Sequence, residues 1–74
     1  MRLSQMFGSN VRLRRKERGM SQEALADEVG LAVTYLGQLE RGQRNPTLDV
    51  VERIATALEI EPLKLLRSPS ADGR

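Results

Sequence analysis

One spacing constrains this chain more than any other feature. Ala26 stands four positions before Gly30, and Leu36 and Leu39 follow six and nine positions after that glycine. A small residue at 26 lets a following helix cross close above its own. Gly30 supplies the positive φ that a tight turn between steeply crossed helices needs, and Leu25, Val29, Leu36 and Leu39 are placed to seal the pair. The spacing by itself also fits an ordinary αα-hairpin, which likewise favours glycine at its turn. Both readings stand until the rest of the chain is added.

The rest of the chain is helical in pattern, with no stretch that alternates with period two. Phe7, Val11 and Arg15 recur at i, i+4 and i+8, with Leu3 one turn earlier, which predicts a first helix over residues 4–18 that stops at Gly19. Ser21 is a ready N-cap for a second helix over Gln22–Val29, whose inner face is Leu25, Ala26 and Val29. A third begins at 32 or 33 and runs to 41, with Leu36 and Leu39 inward and Gly42 as its stop. Asn45-Pro46 is a turn signal, and Thr47 caps a fourth helix carrying Leu48, Val51, Ile54, Ala55 and Leu58. Glu61-Pro62 opens a short fifth helix, with Leu63 and Leu66 on one side. The expectation is an all-α, five-helix domain over residues 1–66 and a flexible tail over 67–74.

Composition decides what such a domain can do. At 74 residues the chain holds one small core of marginal stability. It has no Cys and no His, so disulfides, thiolate or imidazole metal sites and the Ser-His and Cys-His nucleophile pairs are excluded. Phe7 and Tyr35 are its only aromatic residues. No enzyme, catalytic residue, metal or cofactor is expected, and a partner subunit is the remaining means of adding stability. No apolar run approaches the ~18 residues that span a bilayer, and the first residues do not read as a signal peptide, so a cytoplasmic protein with no membrane partner is expected. The net charge of +2 is unevenly spread. Arg2, Arg12, Arg14, Arg15, Lys16 and Arg18 face only Glu17 before residue 23, whereas Glu23, Asp27, Glu28 and Glu40 are met by no base before Arg41 and Arg44. That segregation predicts separate surfaces, although a solvated helix face explains the first segment alone equally well.

Residues 20–30 (MSQEALADEVG), 35–42 (YLGQLERG) and 45–48 (NPTL) together resemble the Cro/phage-repressor (Xre) helix-turn-helix family. The likeness spans about residues 4–66. The Thr34-Tyr35 pair and the Leu-Glu-Arg-Gly ending look most like the controller proteins of restriction-modification systems. The resemblance implies a lambda-repressor-like domain whose third helix enters the DNA major groove. Carried over residue by residue, Val33, Thr34, Tyr35 and Gln38 become the base-reading candidates, and they also lie outside the inward Leu36/Leu39 stripe. Gln38 suits a bidentate pair with adenine, Thr34 a hydroxyl or methyl contact, and Val33 a thymine methyl. Tyr35 suits a phosphate, a base edge or packing. Controller proteins often carry a basic residue at Val33 and a Ser at Gly37, so a target sequence does not carry over. Gly37 costs ~1 kcal/mol against Ala in a helix, which reads as close approach to DNA or as drift.

For the DNA backbone, the resemblance implies Gln22 as a phosphate anchor and the loop Arg41, Gln43, Arg44 and Asn45 as a second contact. Arg12 or Arg14 is placed to flank the duplex, and a solvated position explains each of them equally well. Arg15 falls on the Phe7–Val11 face, where a charge is costly unless paired, and Glu40 is the family's matching acid; the expectation is an Arg15–Glu40 bridge that orients the third helix. Glu23 and Asp27 coincide with acidic positions through which some phage repressors touch RNA polymerase, which implies activation through a basic sigma-subunit surface; a solubility face explains the same residues. One recognition helix reads too few base pairs for a genomic address, which implies a homodimer on a pseudo-palindromic operator, with Ile60, Pro62, Leu63 and Leu66 at its interface. Those residues also suit closing the monomer core, Leu63 above all.

The reading is a sequence-specific, controller-type transcriptional regulator acting at its own operator. An antitoxin or phage-type repressor is the alternative within the class, and a protein-interaction module without DNA is the alternative outside it.

Overall fold

The computed structural model describes residues 2–68. Over those residues the chain forms four α-helices, α1 (Leu3–Glu17), α2 (Gln22–Val29), α3 (Val33–Glu40) and α4 (Leu48–Leu58), and ends in a 3-10 turn at Pro62–Leu66. No helix among them is long and apolar enough to cross a membrane.

Local chemistry sets the helix ends. Ser21 Oγ accepts from the Ala24 N–H at 3.0 Å and Thr47 Oγ1 accepts from the Val50 N–H at 3.1 Å, satisfying donors that the first turns of α2 and α4 leave free. Gly30 ends α2 in the left-handed region at φ 74°, which turns the chain sharply into α3. α4 has no glycine to stop it. Glu59 takes that left-handed position at φ 57°, and its carboxylate pairs with Arg18 at 3.1 Å.

The core gathers Phe7 and Val11 from α1, Leu25, Ala26 and Val29 from α2, Leu36 and Leu39 from α3, and Val50, Val51, Ile54, Ala55 and Leu58 from α4, with Leu65 from the final turn. The α1 helix packs on α3 and on the 3-10 turn, and α4 packs under α2. The closest approach is at Gly8. A Cβ there would lie 2.2 Å from the Leu39 carbonyl oxygen and 2.8 Å from that of Glu40, so α1 rests directly on the α3 backbone.

The structure corrects the sequence reading in two places. The fifth helix is a five-residue 3-10 turn, too short to settle into α-helical bonding: the Lys64 N–H closes on the Glu61 carbonyl three residues back, at 3.0 Å, and the turn's far end is held by another element. Asn10, buried on α1, donates its side-chain amide to the carbonyls of Leu65 at 3.0 Å and Arg67 at 2.7 Å. This anchoring turns Leu65 inward and leaves Leu63 72% exposed, so Leu65 closes the core in place of Leu63. The second correction concerns helix ends: Leu3 and Leu48, both on their helices' apolar stripes, are 58% and 81% exposed, because each sits at a first residue that projects past the packed layer. Of the expected tail, residues 69–74 lie outside the described residues.

Candidate nucleic-acid interface

The α3 helix buries one side and presents the other. Leu36, Gly37, Leu39 and Glu40 face inward, while Val33 and Thr34 are exposed and Tyr35 and Gln38 half-buried. Thr34 and Gln38 stand one turn apart and so share a ridge. Tyr35 leans on the edge of the core, and the Arg44 guanidinium lies over its ring, 5.8 Å from the centroid. Arg44 Nε also donates to Gln38 Oε1 at 3.0 Å, and Arg41 Nε donates to Gln43 Oε1 at 3.2 Å. The loop after α3 is thus folded back on the helix it leaves.

Behind that ridge, Glu40 is held by three N–H groups. Arg15 donates through Nε to Oε2 at 2.7 Å and through Nη2 to Oε1 at 3.0 Å, and Gln22 Nε2 donates to Oε1 at 2.9 Å. A third Arg15 nitrogen, Nη1, reaches the Met20 carbonyl at 2.7 Å. The Arg15 and Glu40 side chains are 8% and 1% exposed. Burying two charges is costly, and here the cost is offset by mutual pairing and by hydrogen bonds on the remaining polar atoms. The cluster ties α1, the start of α2 and the end of α3 together, so the pitch of α3 relative to the domain is set by charge-assisted geometry as well as packing.

Beside the cluster an open cleft of about 540 Å³ runs between α1 and α3, lined by Ser9, Arg12, Leu13, Lys16, Gln22, Glu40 and Arg41. Arg12 and Lys16 are one helical turn apart and meet Arg41 across it. The Glu40 charge is already engaged by Arg15 and Gln22, so the cleft's exposed charge is positive. A projecting helix flanked by a cationic cleft and a cationic loop is the arrangement that places a rod between two phosphate backbones.

Residues 11–65 match the profile of the family described as Helix-turn-helix. The chain belongs to this Xre-type helix-turn-helix family. It is 47% identical over 62 residues to control protein C.BamHI of Bacillus amyloliquefaciens, covering 82% of this chain and 76% of that one. The crystal structure of the restriction-modification controller protein C.AhdI from Aeromonas hydrophila superposes with a TM-score of 0.80 at 47% identity, over 84% of this chain and 94% of that one. The biofilm regulator SinR, solved in complex with DNA, superposes with a TM-score of 0.79 at 32% identity, over 82% and 98% of the two chains.

Within this Xre-type fold the structure gathers some of the candidate residues and separates others. Arg12 lines the cleft, whereas Arg14 lies round the helix with Asn10, Glu17, Ile60, Lys64 and Leu65, and pairs with Glu17 at 3.4 Å. Asn45 borders an apolar groove with Leu3, Phe7, Pro46, Leu48 and Leu66. Ile60 and Leu66 line different grooves, while Pro62 and Leu63 are exposed. Glu23, Asp27 and Glu28 are all exposed along α2. Asp27 and Glu28 continue across a shallow groove to Glu52 of α4, where Arg53 interrupts the negative surface: it pairs with Asp49 at 3.3 Å and donates to the Val29 carbonyl.

Sequence reading missed Gly8, Asn10 and Lys16. Gly8 carried a signal, since glycine inside a helix forfeits stability unless something needs the room. Gly37 carried the same signal with less behind it: a Cβ there would meet first the Arg41 guanidinium, at 3.4 Å. Asn10 had no local signal, because its partners lie more than fifty residues away.

Proposed function

We propose that the chain is a controller-type transcriptional regulator that binds a pseudo-palindromic operator as a homodimer, with α3 in the major groove of each half-site. The observation that carries this reading is the outward ridge of exposed Thr34 and half-buried Gln38, braced from behind by the Arg15–Glu40–Gln22 cluster and flanked by Arg12, Lys16, Arg41 and Arg44. Thr34, Gln38, Val33 and Tyr35 are the groove-facing set, and Gln22, Arg12, Lys16, Arg41 and Gln43 the backbone set. Likeness to two controller proteins and to a regulator solved on DNA supports the same assignment. The exposed residues Pro62 and Leu63, with the half-buried Ile60 and Leu66, are the surface we assign to the second copy.

Titration of a duplex from upstream of its own gene tests the reading. The expected result is affinity at least ~10³-fold above random duplex. Affinity is also expected to fall with salt at a log–log slope of about −4 or steeper, since each neutralised phosphate contributes ~0.9. Equal binding to random duplex at every salt concentration refutes it.

The acidic face of α2 is assigned to a basic surface of RNA polymerase's sigma subunit. Neutralising it by Glu23→Gln with Asp27→Asn is expected to leave operator affinity within about twofold, since both side chains are exposed and neither lines the cleft. Promoter stimulation in a transcription assay is expected to disappear. Stimulation that survives the double substitution makes this face a solubility surface.

A further inference from the structure

We propose that Arg44 is a specificity-determining positioning residue: it holds the Gln38 amide so that the two side chains together present donors to the groove, selecting guanine where an unrestrained glutamine selects adenine. The inference rests on the DNA-reading role proposed above for α3.

An arginine can only donate, so the amide atom facing Arg44 Nε at 3.0 Å is the Gln38 oxygen. Two further contacts and a chain reversal keep it there. The guanidinium is seated over the Tyr35 ring, which is itself half-buried against the core. Gly42, in the left-handed region at φ 76°, reverses the chain immediately after α3. The Gln43 N–H then closes on the Gln38 carbonyl at 2.9 Å, fixing the loop backbone to the same residue whose side chain Arg44 holds.

The consequence follows from the groove edges of the bases. A free glutamine offers one acceptor and one donor, which matches the N6 amine and N7 of adenine. Arg44 takes one of the two lone pairs of Oε1 and flanks the other with positive N–H groups, so adenine's amine approaches an acceptor crowded by donors and is disfavoured. Guanine presents O6 and N7, both acceptors, to which Gln38 Nε2 and the terminal nitrogens of Arg44 can donate. Those nitrogens donate to no protein acceptor among the described residues. A phosphate contact by Arg44 alone carries no such preference.

Selection of half-sites from a randomised duplex tests the proposal with the wild-type chain, Gln38→Ala and Arg44→Ala. All three are expected to fold, since neither side chain belongs to the core. Gln38→Ala identifies the base read at that position by relaxing it. The wild type is expected to prefer guanine over adenine there by about tenfold, and Arg44→Ala to equalise or reverse the preference while neighbouring positions stay unchanged. Wild-type selection of adenine at that position overturns the proposal. So does an Arg44→Ala variant that loses affinity for guanine and adenine sites alike, with a salt slope smaller by about one, the signature of a phosphate contact. If the wild type selects no sequence, the DNA-reading role itself fails, and that outcome is visible before any variant is compared.

Discussion

Replacing Gly8 with alanine is expected to lower stability by about 3 kcal/mol or to prevent folding, at the upper end of the cost of overpacking. The added methyl would fall 2.2 Å from the Leu39 oxygen and 2.8 Å from the Glu40 oxygen, both main-chain atoms that cannot rotate away. Relief requires α1 to lift off α3. That would strip contacts from Phe7, Val11 and Leu39, all at most 1% exposed, and stretch the Arg15–Glu40 bridge. Helix propensity argues the opposite sign, since alanine is favoured over glycine by ~1 kcal/mol inside a helix. The sign measured by urea denaturation therefore decides between the two. Gly37→Ala is the matched control: its new methyl meets a movable Arg41 side chain at 3.4 Å, so it is expected to be neutral or slightly stabilising. A Gly8→Ala protein more stable than wild type would mean that α1 and α3 do not meet as described.

Removing Glu40 is the second large effect. Glu40→Ala leaves the Arg15 guanidinium buried with only the Met20 carbonyl as acceptor, and strands Gln22 Nε2 as well. Breaking one side of a buried pair costs about 3–5 kcal/mol, comparable to the whole stability of a domain this small. The Glu40→Ala chain is expected to be largely unfolded at 37 °C. Replacing both partners, Arg15→Met with Glu40→Leu, removes the charges together and is expected to cost far less. Circular dichroism through a thermal ramp separates the outcomes; a single substitution no worse than the double denies the pair its structural role. If the cluster's main contribution is the pitch of α3, the folded double variant keeps its stability and still loses operator affinity.

These two cases mark the boundary of what the sequence shows. Arg15 was legible because a charge on the Phe7–Val11 stripe requires an acid, and helical spacing puts it there. Its partner came from likeness to a family, twenty-five residues away. The α3 ridge was legible because inward Leu36 and Leu39 leave Thr34 and Gln38 outward by geometry alone. Asn10 was not legible, and Gly8 signalled only that something needed the room without saying what, although each sits in the same well-predicted helix. Periodicity describes a helix relative to its own axis, and neither the distance to a second backbone nor the identity of a remote carbonyl enters it.

By itself the sequence determined an all-α chain, the positions of its four helices, the turn at Gly30 and the exposed face of α3, because each of these depends on residues within about four positions of one another. Only the tertiary structure decided that the last segment is a 3-10 turn hung from Asn10, that Leu65 and not Leu63 fills the core, and that Arg44 folds back on Gln38. Each of those outcomes is set by which surfaces meet when the helices dock, where hydrogen bonds and steric contacts between distant residues outweigh local preference.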